Sequence, residues 1–277
     1  MGGSGNQKSW VIVSIFYGAI ASALFLLCFA KTKERVAIQS DKSEKIGFIT
    51  SFKLILKNNY WLLLVGIWVS MVLGMSMSMG VGTYYAKYIL GSENYAGYLG
   101  ALSIVPVLII MPLTAPLNRK FGKRNVAMVG SFISLAGQAL MLLSPASATW
   151  LMVCAVIKGI GSATMTGTMF AMIADTIEYG QWKTGIRVEG MLYSSTTFGA
   201  KVGAGIGSAV ALAIIGAAGY DGLAAVQTTE ALEAIRTLYL VVPIPFMILI
   251  PIIYGFYKLD KIYPQVMEDL KKREAGK

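Results

Sequence analysis

Apolar residues in this chain are gathered into seven long, charge-poor runs, at residues 10–30, 60–85, 95–117, 125–143, 150–174, 190–216 and 237–257. A helix crosses a hydrocarbon layer of about 30 Å in roughly 20 residues, so each run is near or above spanning length. The pattern predicts an all-α fold, a polytopic transmembrane helical bundle.

The polar connections are unequal. Residues 31–59 form the longest, and its middle, residues 39–45, is wholly polar. Its second part differs: Phe48, Ile49, Phe52, Ile55 and Leu56 recur at helical spacing with Lys53 and Lys57 opposite, the pattern of an amphipathic helix on a membrane surface. Asn58 and Asn59 punctuate the chain before the next run. After residue 257 come Tyr263-Pro264, a short helical pattern carrying Val266, Met267 and Leu270, and a basic cluster, which together read as a cytoplasmic cap.

Composition agrees, with 56% hydrophobic and 14% charged residues in 277. A net charge of +10 raises nucleic acid as a partner, and the placement of the basic residues removes it. Lys31, Lys33, Arg35, Lys42, Lys45, Lys53 and Lys57 follow the first run, Arg119, Lys120, Lys123 and Arg124 the third, Lys183 and Arg187 the fifth, and six more lie in the tail. The intervening loops hold only Lys87 and Arg236. By the positive-inside rule the rich loops are cytoplasmic, and the basicity reflects topology and anionic headgroups. The expected product is a multi-pass protein of the cytoplasmic (inner) membrane with a cytoplasmic C-terminus. Seven crossings place the N-terminus outside, and residues 1–9 read as an internal outer loop. The first run is too long for a signal-peptide core.

Chemistry is sparse. The absence of His removes the commonest general base and metal ligand, and no GxxxxGK[ST] loop couples the chain to ATP. Neither an enzyme nor a cofactor is expected. Cys28 and Cys154 lie in separate runs and imply no disulfide and no metal site, only packing. Met75, Met77 and Met79 read as adaptable packing, and Tyr84, Tyr85 and Tyr88 as an interfacial aromatic belt, with sugar stacking the alternative.

The sharpest signal is charge inside the runs, because a lysine near the bilayer centre costs about 2.5–3.5 kcal/mol. Lys201 lies eleven residues into its run, roughly 16 Å deep at 1.5 Å per residue. At about 100° per residue Ser194, Thr197, Lys201, Gly205 and Ser208 share one face, and Gly199, Gly203 and Gly207 the opposite one. The first stripe suits a substrate or ion path that Lys201 serves, against the alternative of a snorkelling or structurally paired lysine. The second suits close helix packing. Lys158 lies nearer the outer end of its run and reads as snorkelling. Between the fifth and sixth runs, Asp175, Glu178, Lys183, Arg187 and Glu189 interleave both signs in a loop. Such a loop forms ion pairs in one conformation and breaks them in another, or else is a solvated turn.

Residues 174–190, followed by Tyr193, Ser194 and Lys201, resemble the signature of the glycoside-pentoside-hexuronide:cation symporter family, which includes the melibiose carriers and belongs to the major facilitator superfamily. Asn59-Tyr-Trp61, Phe121-Gly-Lys-Arg124 and Tyr257-Lys-Leu-Asp260 add to the resemblance, in order, across nearly the whole chain. It implies a twelve-helix fold of two six-helix bundles, with a small sugar or glycoside bound between them and uptake driven by Na⁺ or H⁺. Residues 1–30 would then be the last span of a missing N-terminal half, 31–59 the inter-bundle linker, 60–257 the C-terminal six-helix bundle and 258–277 a cytoplasmic tail. Lys201, Thr197 and Thr196 match positions lining the sugar and cation cavity, with Ser194 on the same stripe, and Lys201 matches the residue near the coupling cation. Asp175, Glu178, Arg187 and Glu189, with Lys183 among them, match a charged cytoplasmic gate. The family's main sugar- and cation-binding carboxylates belong to the N-terminal bundle, and the runs here contain no Asp or Glu. This chain is therefore expected to be incompetent alone. The alternative is a non-transporting membrane binding or assembly protein derived from the same fold.

Overall fold

The structure, a computed structural model, describes residues 7–32, 47–224 and 226–275. Its contacts divide the chain into two units, residues 1–45 and 46–277. The polar middle of the long connection, residues 39–45, lies outside the described residues.

The first unit contains one described element, α1 (Gln7–Lys31), 25 residues long and so about 37 Å from end to end. Within the unit every described side chain of residues 11–31 is exposed. A bare apolar helix of this length satisfies its own backbone and leaves its side chains to hydrocarbon, as a membrane span does.

The second unit is wholly helical among its described residues: α2 (Phe48–Leu56), α3 (Asn59–Tyr88), α4 (Asn94–Ile110), α5 (Thr114–Phe121), α6 (Lys123–Leu140), α7 (Ala148–Thr184), α8 (Glu189–Ala217), α9 (Thr229–Leu240), α10 (Pro243–Phe256) and α11 (Leu259–Ala275). Single 3-10 turns join α4 to α5 and extend α6. Among the described residues seven helical segments are long and apolar enough to cross a membrane, α4–α5 and α9–α10 each counting as one. Starts are set by local chemistry: Asn58, Ser147 and Thr228 each accept a hydrogen bond from the backbone N–H three residues on.

Two boundaries differ from the sequence reading. α7 runs ten residues beyond the fifth apolar run, because Ile177, Gly180 and their neighbours are buried and keep the helix packed to Thr184. Gly185, at φ 75°, ends it in the left-handed conformation. Asp175, Glu178 and Lys183 are therefore helical rather than loop residues. The last run is two helices: Pro243 and Pro245 withhold the N–H groups that would continue α9 into α10.

Small residues let the helices touch. A Cβ on Gly161 of α7 would stand 2.3 Å from the Ser134 nitrogen of α6, and one on Gly137 would stand 2.6 Å from the Lys158 nitrogen. A Cβ on Gly159 would stand 2.6 Å from the Ser103 carbonyl of α4. Without water to drive association, such backbone proximity is what packs helices in lipid. The core falls into two larger layers and a small cluster of Ile55, Trp61, Ile177 and Leu192. One layer holds Val81, Tyr85, Leu151, Ala211, Ile215 and Leu238, the other Leu64, Ile67, Met172, Ile173, Tyr254 and Tyr257. Met77 packs in the first layer, whereas Met75 and Met79 point outward, 57% and 68% exposed. The three methionines do not act as one packing group, since alternate positions on α3 face opposite ways.

Candidate functional site: the Lys201 face and the charged end

α8 carries Lys201 about midway along its length, and its two sides have different surroundings. The glycine side meets α3: a Cβ on Gly207 would stand 3.0 Å from the Ser76 Cβ, and one on Gly203 would stand 3.4 Å from Val72. Gly199 meets nothing within 4 Å, so two of the three stripe glycines pack. Ser194, Thr197 and Lys201 on the other side are exposed. Their neighbours Phe198 and Ile206 are also bare, at 70% and 54%.

The hydroxyls of this face are tethered to their own helix. Ser194 donates to the Gly190 carbonyl at 2.6 Å, Thr197 to Tyr193 at 2.9 Å and Thr196, half-buried, to Leu192 at 2.8 Å. Their oxygens keep lone pairs for an incoming donor. Lys201 makes no hydrogen bond and no ion pair with a described residue. The structure thus brings Ser194, Thr197 and Lys201 onto one open face and sets Thr196 at its margin.

The five residues read as a gate separate into four contacts. Asp175, almost fully buried on α7, holds Lys123 of α6 at 2.6 Å through both carboxylate oxygens. Glu178, one turn on, accepts a hydrogen bond from the Tyr263 hydroxyl of α11. Burial, the Glu178 hydrogen bond and the nearby Asp175 charge push the Tyr263 phenol well above its usual range, so it stays a donor. Lys183 instead donates to the Lys57 carbonyl at 3.0 Å, and Arg187 pairs with Glu189 at 3.0 Å at the start of α8. Asp175 and Glu178 share a neighbourhood; Lys183 and the Arg187–Glu189 pair stand apart from it.

Other residues complete this end. The Arg124 guanidinium donates to the Tyr254 and Gly255 carbonyls at 2.8 and 3.0 Å, capping α10, while its backbone N–H bonds Asp260 at 2.8 Å. Trp182 donates to Asp269 at 2.9 Å, and Arg273 donates to the Trp182 carbonyl at 3.0 Å, so α11 is docked along the end of α7. Asn58 caps α3 and also donates to the Thr176 carbonyl at 2.7 Å. Lys123, Arg124 and Asp260 lie in the short motifs noted in the sequence, which flagged their positions and not their roles. The sequence set Tyr263 only within the tail cap, and nothing in it pointed to Asp269 or Gln138.

At the opposite end, Tyr85 is fully buried and stacks on Tyr239 with centroids 4.3 Å apart. Tyr84 and Tyr88 meet Tyr220 edge-on. These tyrosines are packed against one another rather than spread as a belt. Lys158 does not snorkel: its ammonium bonds the Gln138 side chain inside the unit at 2.7 Å. Among the described residues no three His, Cys, Asp or Glu side chains are grouped as a metal site requires. Cys154 is buried and Cys28 is exposed within its own unit.

Seven helical segments of spanning length among the described residues define a polytopic membrane protein, and a family model for MFS/sugar transport proteins matches residues 1–261. The chain belongs to that family. It is 34% identical over 99% of its length to an isoprimeverose transporter of Lactiplantibacillus pentosus, covering 57% of that protein. It is 32% identical over 98% of its length to an uncharacterized symporter of Bacillus subtilis, covering 59%. A glucuronide carrier protein homolog of Escherichia coli is 32% identical over 96% of the chain, which covers 57% of it. The chain thus spans somewhat more than half the length of these relatives.

Proposed function

We propose that this chain is one half of a sugar:cation symporter of the cytoplasmic membrane. The observation that carries the reading is the open face of α8. A lysine about midway along a membrane helix, with no acidic partner among the described residues, needs a polar counterpart from elsewhere. Ser194, Thr197 and Thr196 flank it, and Gly203 and Gly207 fix the helix from behind. A second six-helix bundle facing this surface supplies the carboxylates for a Na⁺ or H⁺ site and encloses a small glycoside against Lys201. The printed names of the relatives, one for isoprimeverose and one for glucuronide, support a sugar or glycoside without choosing between neutral and acidic ones.

The charged end is the cytoplasmic one in this reading, because its connections hold most of the lysines and arginines. The Lys123–Asp175 pair and the Tyr263–Glu178 bond then hold the cytoplasmic ends of α6, α7 and α11 together, and the Arg187–Glu189 pair opens α8. Residues 1–30 belong with the other bundle, residues 31–59 link the two, and residues 258–277 are the tail.

Reconstitution tests this. Liposomes containing the purified chain should show no saturable, cation-driven glycoside uptake, and adding a co-expressed complementary bundle should restore it. Saturable uptake by the chain alone would overturn the half-carrier reading. A stable stoichiometric complex that never transports would favour a membrane assembly protein.

A further inference from the structure

The last span is broken where its backbone is left short of donors. Pro243 has no N–H, so the Tyr239 carbonyl lacks its normal helical partner. The Ile244 N–H turns to Val241 at 3.0 Å, which releases the Leu240 carbonyl, and the Val241 and Val242 N–H groups both go to Thr237 at 2.9 Å. Two adjacent carbonyls therefore face the bundle at the break. Gln138 of α6, with none of its surface exposed, donates through Nε2 to both, at 3.0 Å each. Its Oε1 accepts from the Lys158 ammonium of α7 at 2.7 Å.

Chemistry leaves this carboxamide one orientation. An ammonium only donates and carbonyls only accept, so Oε1 faces Lys158 and Nε2 faces the break. A cation on the amide oxygen also polarises the amide N–H groups and strengthens both donations. No carboxylate meets Lys158: the facing charges of α6 are confined to its first turn, α4 has none, and on α9 the carboxylates Glu230 and Glu233 sit toward its start, with Arg236 past its midpoint. Gln138 is the one hydrogen-bond partner of the Lys158 ammonium among the described residues.

We infer that Lys158 is a positioning residue: through Gln138 it holds the break between α9 and α10 at a fixed bend, tying the last span to α6 and α7 together. The bend matters because the two halves have separate attachments. α9 is held by Tyr239 stacked on Tyr85, while α10 lies against Gly74 through Phe246 and is capped by Arg124 at its far end. The break is where the tyrosine end of the last span is registered against its charged end. This inference does not depend on what the protein carries.

Amide hydrogen exchange on the full chain in nanodiscs tests it. Lys158→Met should raise exchange at Val241, Val242 and Ile244 by about tenfold, as loss of a charge-assisted hydrogen bond implies, with the rest of α10 unchanged. Gln138→Glu keeps an acceptor for Lys158 but loses both donors, so it should raise the same three amides while the α6–α7 pairing stays protected. Lys158→Arg, which retains a donor, should restore most of the protection, and Lys158→Met combined with Gln138→Leu should not exceed the larger of those two single effects. The inference is overturned if Lys158→Met leaves these amides unchanged or loosens the whole bundle evenly. Should Lys158→Met not fold, Gln138→Glu decides: without a rise confined to the break, the positioning role is wrong.

Discussion

Lys123 and Asp175 meet at 2.6 Å across the α6–α7 contact, with the Asp175 carboxylate 5% exposed and the Lys123 side chain 28% exposed. Burial makes the pair worth little as a source of net stability and costly to break, because removing either partner strands the other charge. Lys123→Met should therefore lower stability by about 3 kcal/mol. Lys123→Met with Asp175→Leu should recover most of that loss. Thermal melts in detergent, compared as a double-mutant cycle, check both.

Glycine substitutions should divide sharply by position. Gly161→Ala forces a Cβ to 2.3 Å from the Ser134 backbone, and overpacking of this kind costs about 1–3 kcal/mol or more. Gly199→Ala, with nothing within 4 Å, should stay within about 0.5 kcal/mol of the parent. The same melts distinguish them.

The open face of α8 should be uncovered in the chain by itself. In detergent, with Cys28 and Cys154 replaced by Ser, Lys201→Cys is expected to react with a small uncharged maleimide, and Ala211→Cys, fully buried, should not. Addition of a complementary bundle should protect position 201. Reactivity unaffected by that partner would mean that the open face of α8 is not where the partner sits.

Docking of α11 should fail on the alkaline side. Tyr263 is held protonated beside Glu178, so its folded-state phenol lies above the unfolded value of about 10. A group raised in this way contributes stability that is fully present below the unfolded value and lost as pH climbs through the folded one. The protection of the α11 amides, taken relative to their base-catalysed intrinsic exchange, should hold steady up to about pH 10 and fall above it. Tyr263→Phe should lower that protection at neutral pH and flatten the alkaline fall.

The spans were legible because a lipid core demands one thing of every crossing segment: about 20 apolar residues with a self-satisfied backbone. The amphipathic helix at residues 48–56 was legible for a related reason, its apolar positions repeating at helical spacing. Lys201 stood out because a charge within such a run is costly enough to need a reason. Sequence also gave α8 its two-sided character, since the angular positions of Lys201 and Gly207 follow from helical geometry alone.

Partnership was another matter. The sequence presented Asp175, Glu178, Lys183, Arg187 and Glu189 as one interleaved set, yet each chose its contact across space: Lys123, Tyr263, the Lys57 carbonyl, and Arg187 with Glu189. Lys158 looked like a snorkelling cation because its distance from the helix end was all that could be counted. Its partner Gln138 lies on another span, and the need for that partner arises on a third, where Pro243 frees two carbonyls. Hydrophobic periodicity records which residues must leave water or enter lipid, a property of each residue and its helix. Which donor meets which acceptor depends on how helices are set side by side, and only the tertiary structure decides that.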